Sequence, residues 1–227
     1  LPAVKEDDLL DVPPFARRIA LNQHSRHDLL VSTGNWRRAV QAYLACITFS
    51  DAMLGRILDA LDRSPNRDNT IVALWSDHGY HLGDHGLWQK RSLFERSARV
   101  PLIIAAPRAK VRGAGARGLA ELVDLYPTLV QLAGIKPASA LAGVSLAPML
   151  DDPSASVKDA AFTQTENNGY AVRTDRWRYI EWGGASDSVQ LYDMERDPGE
   201  SMNLAQDARH ASTVEELKAR VAAYRQR

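Results

Sequence analysis

One stretch of the sequence gathers most of the side chains that can do chemistry. It runs from Ser76 to Lys90 and holds two carboxylates, three histidines, one lysine and three glycines. The adjacent Asp77 and His78 can offer a carboxylate oxygen and a ring nitrogen to a cation. Carboxylate suits calcium, whereas imidazole suits manganese or zinc better. Lys90 can supply a positive charge to an anionic group, although a polar loop with solvated histidines fits the same residues.

Two apolar runs frame this stretch and predict the strands that position it. Residues 70–76 are nearly continuously apolar, and residues 100–106 repeat the pattern. Such runs are typical of strands covered on both faces in a parallel or mixed sheet. Ligands of open α/β sheets bind outside the carboxyl ends of strands. The Asp77–His78 pair directly follows the first run, which is where a site is expected.

Helical periodicity accounts for most of the remaining first 150 residues. Apolar residues recur at helical spacing over residues 35–62, which predicts one long helix with an apolar stripe. A second helix is predicted over 119–133, ending at Gly134, and a short one near 15–22 within an irregular opening segment. Residues 1–150 are therefore predicted to form an α/β layered core, with a mixed sheet flanked by helices.

The character of the sequence changes after residue 150. Short aromatic segments at 170–173, 177–180 and 189–193 are separated by turn residues, which predicts an antiparallel sheet. Ser212-Thr213 followed by two glutamates predicts the start of a closing amphipathic helix. Residues 151–227 are therefore predicted to form a small α+β subdomain.

Composition excludes several classes of protein. Lysine plus arginine and aspartate plus glutamate number 28 each, so no basic excess indicates a nucleic-acid or membrane-surface partner. Cys46 is the single cysteine, which rules out an internal disulfide. We find no apolar run long enough to span a bilayer. The chain opens on Leu1 without a signal peptide, and we expect a processed or truncated chain whose compartment stays open.

The motifs of the Ser76–Lys90 stretch resemble the signature loop of type I sulfatases, in the alkaline-phosphatase-like superfamily. These motifs are Ser-Asp-His-Gly at 76–79, Leu-Gly-Asp-His-Gly at 82–86 and Trp-Gln-Lys at 88–90. The sequence looks closest to the iduronate-2-sulfatase-like branch, with choline sulfatases and phosphonate monoester hydrolases nearby. Further landmarks stand in family order at 99–103, 122–129 and 190–193. The resemblance covers most of the chain and implies the partial sulfatase core.

The resemblance also implies roles at matching positions. Asp77 and His78 would be two ligands of the calcium ion that holds the sulfate ester. Lys90 would hydrogen-bond the sulfate oxygens and stabilise charge on the leaving-group side. His85 matches a histidine common in the branch and is a candidate catalytic residue, and Tyr80 would line the substrate cleft. His81 is expected to be an ordinary loop residue.

The family nucleophile is absent from this sequence. Type I sulfatases attack with a formylglycine made from a C/S-x-P-S-R motif, which does not occur here. Cys46 is predicted to be a small buried helix residue, and Asp7-Asp8 a solvated or helix-starting acidic cluster rather than the family's early calcium ligands. The nucleophile and remaining ligands would then lie in an N-terminal half outside this chain. The isolated chain is expected to be inactive and prone to aggregate.

The expected function is therefore part of a sulfatase acting on a sulfate monoester of a small molecule or a sugar. A phosphonate or phosphate ester hydrolase of the same superfamily is the first alternative. A non-catalytic binding partner with this fold is the second, and it predicts that the parent gene lacks the C/S-x-P-S-R motif. Periplasmic, extracellular and lysosome-like compartments all agree with the family.

Overall fold

The computed structural model describes residues 1–2, 8–137, 139–166, 168–183 and 188–226, with only the backbone described at 19–25. Helix α1 spans Pro14–Ser32 and helix α2 spans Trp36–Asp62. Proline suits the first turn of α1 because its missing N–H would have no helical partner there. The short helix predicted near 15–22 is therefore one part of a longer helix. No described helix is long and apolar enough to cross a bilayer.

The predicted long helix is confirmed within a residue at its start, but its apolar stripe has no cover. No residue of α2 is buried, and Leu44 and Ile47 are each more than half exposed. Cys46 is also exposed, so the prediction that it is a buried residue was wrong. Helical periodicity identifies a face that needs a partner, and the described residues of this chain do not supply one.

The two predicted core strands form, and they pair with each other. Strand β1 spans Val72–Trp75 and runs antiparallel to β4 at Leu102–Ala105. The prediction that both faces are covered was wrong within the described residues, since Trp75 is 47% and Ile103 is 59% exposed. Their apolar character therefore indicates packing layers beyond these residues.

Short elements lie between and after these strands. A hairpin pairs β2 at His81–Leu82 with β3 at Trp88–Gln89, and helix α3 follows at Glu95–Ala98. Helix α4 spans Leu125–Leu132 and α5 spans Ala147–Asp151. Helix α4 begins later than predicted, because a 3-10 turn occupies 122–124. It ends as predicted near Gly134, whose φ of 69° is a conformation that favours glycine.

The C-terminal region is a four-stranded antiparallel meander closed by a helix, as predicted. Its strands are β5 at Ala161–Thr165, β6 at Gly169–Arg173, β7 at Trp177–Trp182 and β8 at Val189–Asp193, which pair in chain order. Helix α6 spans Ala211–Tyr224. The sequence did not predict β5. Together the elements confirm an α/β fold with an antiparallel C-terminal sheet.

The C-terminal sheet is covered on both faces, and one face supports the 76–90 loop. Alternate residues of each strand face opposite sides of a sheet. One side packs against α6 through Val172, Tyr179, Leu191, Val214, Leu217 and Val221. The other packs against the chain start and the loop through Leu9, Val12, Ala16, Leu87, Leu93, Phe94, Ala171, Ile180, Trp182 and Tyr192. Residues on both sides of position 150 thus share a core, and the domain boundary at 150/151 stays a prediction.

Candidate functional site

Three predicted site residues meet at the carboxyl end of β1. His78 Nε2 lies 3.4 Å from Asp77 Oδ2 and 2.6 Å from Lys90 Nζ. Lys90 is twelve residues further along the chain, so the loop must fold back to place its ammonium here. The structure therefore brings together a carboxylate, an imidazole and a cation that the sequence only placed in one segment.

The His78 ring is oriented by the loop backbone. Its Nδ1 lies 2.9 Å from the carbonyl oxygen of Gly79. Because a carbonyl can only accept a hydrogen bond, Nδ1 carries the proton and Nε2 presents a lone pair. Metal-binding histidines are held in this way by a backbone carbonyl on the other ring nitrogen. Here the Lys90 ammonium donates to that lone pair.

Asp77 and His78 fit part of a cation site. The Asp77 side chain is 82% exposed, so its carboxylate is open to the solvent beside His78. Within the described ranges no group of three or more His, Cys, Asp or Glu side chains could hold a metal ion. Calcium normally takes six to eight oxygen ligands, so these two residues would need further ligands from elsewhere.

Two glycines allow the loop to pack tightly. A Cβ on Gly79 would lie 2.0 Å from the carbonyl oxygen of Arg96, which no side chain could tolerate. Gly83 has a φ of 125°, and a Cβ there would lie 2.6 Å from the ring of Trp36. The same indole donates a hydrogen bond to the Leu82 carbonyl at 2.7 Å. The start of α2 therefore holds the loop in place.

Tyr80 lies on the open cleft that Asp77 and His78 also line. Its ring centroid is 5.0 Å from that of Tyr43 on α2 and 6.0 Å from that of Trp88. Burial, together with Tyr43, raises the pKa of Tyr80, so the phenol stays neutral near pH 7. The place of Tyr80 in the substrate cleft stays a prediction.

His85 lies in the core behind the loop. Its ring is buried and stacks on Phe94 at a centroid distance of 4.1 Å. Its Nδ1 is 3.0 Å from Asp8 Oδ2, an ion-pair contact that is not aligned as a hydrogen bond. Burial acts to lower the pKa of His85, but Asp8 with Glu200 and Asp84 raises it overall. This position favours a supporting role, and the predicted catalytic role stays untested.

The contact with His85 corrects the interpretation of the acidic cluster at the chain start. Asp8 was predicted to be solvated or to start a helix, but its side chain is only 10% exposed and helix α1 begins later, at Pro14. Asp7 lies outside the described residues. No sequence signal linked Asp8 to a histidine 77 positions away, because the contact arises only when the chain start packs against the loop.

A buried ionic cluster, formed by Glu95, Arg173, Arg178 and Glu200, joins the loop to the C-terminal sheet. Arg178 donates to the Leu93 carbonyl at 2.9 Å and to the Glu95 carboxylate. Its Nε is 3.1 Å from Glu200 Oε1, and Glu200 Oε2 accepts from the Glu95 N–H at 2.7 Å. Sequence reasoning missed this cluster, whose members lie up to 105 residues apart.

Glu200 should make stability depend on pH. Burial raises its pKa from 4.5 to about 7 even though Arg178 lowers it. Between these values the folded state holds a proton that the unfolded state has released, so the contribution of Glu200 to stability is lost as pH rises from 4.5 to 7. At about 1.4 kcal/mol per pH unit, the free energy of unfolding should fall by roughly 3 kcal/mol relative to Glu200→Gln.

The measurement is the free energy of unfolding of the wild-type protein and of Glu200→Gln by denaturant titration from pH 4 to 8. The difference between the two proteins removes the titration of the other carboxylates. A difference that stays constant across this range would contradict the assignment of Glu200.

Comparison with known sequences identifies two family models. The Sulfatase model matches residues 11–135. The model described as N-sulphoglucosamine sulphohydrolase, C-terminal, matches residues 83–227. A sulfatase of Formosa agariphila is 36% identical over 219 residues, covering 96% of this chain and 43% of that protein. An N-acetylglucosamine-6-O-sulfatase of Bacteroides thetaiotaomicron is 31% identical, covering 89% of this chain and 38% of that protein.

Solved structures agree with the sequence matches. One enzyme in complex with its substrate D-glucosamine-2-N,6-O-disulfate superposes with a TM-score of 0.77 at 29% identity, covering 85% of this chain and 41% of that one. A phosphonate monoester hydrolase of Agrobacterium radiobacter gives a TM-score of 0.68 at 28% identity, covering 78% and 39%.

The chain thus spans about two fifths of the length of these relatives. None of these matches singles out the iduronate-2-sulfatase-like branch, which stays a prediction. Each family model covers more than half of the chain, and the two overlap on the loop that carries His85 and Lys90. The chain therefore belongs to the sulfatase family and has its α/β fold.

Proposed function

We propose that this chain is part of a sulfuric ester hydrolase that cleaves sulfate monoesters. The observation that carries the proposal is the meeting of Asp77, His78 and Lys90 at a strand end beside an open cleft. A cation and a positive point charge side by side would stabilise an anionic ester, and these residues supply the point charge and part of a cation site.

Each residue then has a distinct role. Asp77 and His78 would hold a calcium ion, for which the Lys90 ammonium would have to release His78 Nε2; calcium bound there would polarise the sulfate group as a Lewis acid. Lys90 would donate to the sulfate oxygens and stabilise negative charge on the departing oxygen. Tyr80 would form one wall of the substrate cleft. His85, buried against Phe94 and Asp8, would support the loop rather than contact substrate.

The remaining parts of the machinery would come from residues outside this chain. The sequence lacks a C/S-x-P-S-R motif, so a formylglycine nucleophile would be supplied by an N-terminal part of the same enzyme. Two observations support such a partner. The apolar stripe of α2 and apolar side chains on both faces of the β1–β4 sheet are exposed, and the chain spans only part of its relatives.

The proposed substrate class is a sulfated saccharide or small molecule. The support comes from the relatives: one acts on N-acetylglucosamine 6-O-sulfate according to its name, and one was solved with a disulfated glucosamine. Charge in this chain is balanced, which favours a compact pocket for one sulfated residue over a long cationic track.

The test is a parallel assay of the full-length protein that contains this chain. The purified protein would be given an aryl sulfate, a sulfated N-acetylglucosamine and an aryl phosphonate monoester at matched concentrations. Mass spectrometry of the same sample would search for formylglycine. Turnover of sulfate esters with formylglycine present supports the proposal, whereas no turnover of any sulfate ester by a formylglycine-bearing protein contradicts it.

A phosphonate monoester hydrolase is the second candidate function. It is favoured by the structural similarity to the enzyme of Agrobacterium radiobacter. The signature residues alone do not separate the two chemistries, because both place a cation and a lysine beside an anionic ester. In the parallel assay this candidate predicts faster turnover of the phosphonate than of either sulfate.

The isolated chain should respond weakly to calcium. Asp77 and His78 supply two ligands, and a ligand stabilises a folded protein only in proportion to its occupancy. We therefore expect no measurable rise in melting temperature on adding calcium below 1 mM, on the order of the weakest extracellular sites. Thermal unfolding of the chain with and without calcium checks this, with magnesium as the control. A clear rise specific to calcium would show that the chain closes a site by itself.

A further inference from the structure

Lys90 lies in a strained segment of the loop. Its two neighbours have left-handed backbone conformations, with φ of 96° at Gln89 and 74° at Arg91, and His85 has a φ of 57°. Non-glycine residues rarely adopt such angles, and they persist only where the surroundings hold them. The adjacent hairpin pairs only two residues on each strand. Something besides the hairpin must therefore hold the segment that presents the Lys90 ammonium.

The buried side chain of His81 bridges the two ends of this segment. Its ring is fully buried, with no exposed surface. Its Nδ1 lies 2.5 Å from Asp84 Oδ2, before the strained residues, and its Nε2 lies 2.7 Å from Ser92 Oγ, just after them. One ring therefore ties together the two ends of the segment that contains Lys90.

The hydrogen bonds around His81 form a continuous series from the Phe94 N–H to the Leu82 N–H. Ser92 Oγ accepts from the Phe94 N–H at 3.3 Å, which leaves its own proton to donate to His81 Nε2. The proton on Nδ1 then donates to Asp84, whose other oxygen accepts from the Leu82 N–H at 3.3 Å. Every polar atom of the ring is thus satisfied, and a fully satisfied buried network fixes one geometry.

The order serine, histidine, aspartate is also that of a hydrolytic triad, but this geometry does not suit one. A triad histidine must pass a proton from the serine to a leaving group. The His81 ring is fully buried, so a leaving group cannot reach its Nε2. The chain of bonds therefore acts on the backbone rather than on a substrate.

We propose that His81 is a positioning residue, which fixes the loop segment that carries Lys90 by tying Asp84 to Ser92. The inference rests on the proposed function for the role of Lys90, while the anchoring itself is a property of the fold. Burial acts to raise the pKa of Asp84, but the hydrogen bond from His81 lowers it overall, which keeps the carboxylate ready to accept.

The first test measures anchoring without any assay of activity. Ser92→Ala removes one hydroxyl from the chain of bonds, whereas His81→Phe, which cuts both bonds, risks misfolding. Thr128→Val is the matched control, because Thr128 is fully buried and its hydroxyl bonds Asp124 and Leu146 far from the loop in sequence. In the full-length protein, Ser92→Ala should speed amide hydrogen exchange at 83–91 about tenfold or more, and Ser92→Thr should restore it.

The second test measures the consequence for catalysis. If Lys90 stabilises the leaving oxygen, Ser92→Ala should lower kcat for a sugar sulfate roughly ten- to a hundredfold and for 4-nitrophenyl sulfate much less. Thr128→Val should leave the ratio of the two kcat values at the wild-type level. A merely structural loss would lower kcat for both substrates by the same factor.

The outcomes separate the two levels of the proposal. Unchanged exchange at 83–91 in Ser92→Ala overturns the anchoring role of His81. Faster exchange with an unchanged kcat ratio overturns the positioning of Lys90. If Ser92→Ala exchanges faster but the wild-type protein hydrolyses no sulfate ester, the anchoring role is supported and the proposed function is overturned.

Discussion

Replacing Lys90 with alanine in the full-length protein is expected to lower kcat for sulfate ester hydrolysis by roughly a hundred- to a thousandfold. The ammonium lies 2.6 Å from His78 Nε2, and His78 is next to the carboxylate of Asp77, so Lys90 is close enough to donate to a sulfate held by a cation on those two residues. Charge that develops on the ester in the transition state would lose its fixed donor. The melting temperature should change little.

Two further variants make this prediction specific. Lys90→Arg keeps the charge but replaces a compact ammonium by a planar fork, so its kcat should fall between those of the wild type and the alanine variant. Lys136→Ala is the matched control, because Lys136 is an exposed lysine after α4. The role of Lys90 is contradicted if its removal lowers kcat less than about tenfold, well below the loss expected for a transition-state donor.

The centre of the site could be predicted from sequence because its residues follow one another in a single loop. Asp77 and His78 come directly after an apolar run, and the end of a strand is a general location for ligands. The meeting of Lys90 with His78 also needs only local chain reversal, for which the glycines of the loop gave a visible signal. For these three residues, the sequence motif therefore already indicates that the side chains lie close together.

The support of the site could not be predicted, because it depends on contacts between distant segments. The pairing of Asp8 with His85 and that of Glu95 with Glu200 appear only after the chain start and the C-terminal sheet pack on the loop. His81 illustrates the same limit. It had no counterpart in the family resemblance, so it was expected to be an ordinary loop residue although its ring is fully buried and bonds Ser92.

Burial was the other property that periodicity could not decide. The stripe on α2 and the runs of β1 and β4 were recognised as apolar, and the elements form within one or two residues of the predicted limits. The spacing of apolar residues shows which face of an element must be buried, but the residues that bury it belong to other parts of the fold. Cys46 was placed in the right helix and the wrong environment for this reason.

Arg178 connects the C-terminal sheet to the site loop, and its replacement should be the most destabilising single change in this region. Its side chain is 3% exposed. It forms an ion pair with the Glu200 carboxylate and donates hydrogen bonds to the Glu95 carboxylate and the Leu93 carbonyl. Arg178→Met keeps much of the side-chain length but leaves the buried Glu200 carboxylate without its cation, while Glu95 keeps Arg173 at 3.7 Å. Breaking a buried ion pair from one side costs about 3–5 kcal/mol, so the free energy of unfolding should fall by that amount.

The matched control is Arg220→Met, because Arg220 forms its ion pairs with Asp159 and Glu216 at the exposed surface. Exposed pairs contribute about 0–1 kcal/mol, so this variant should unfold close to the wild type. Denaturant unfolding of both variants in the full-length protein measures the difference directly. Equal losses of unfolding free energy in the two variants would mean that Arg178 contributes no more to stability than an exposed arginine. A large loss for Arg178 alone would show that this one guanidinium, which bonds the Leu93 carbonyl and Glu95 just after the loop, stabilises the fold.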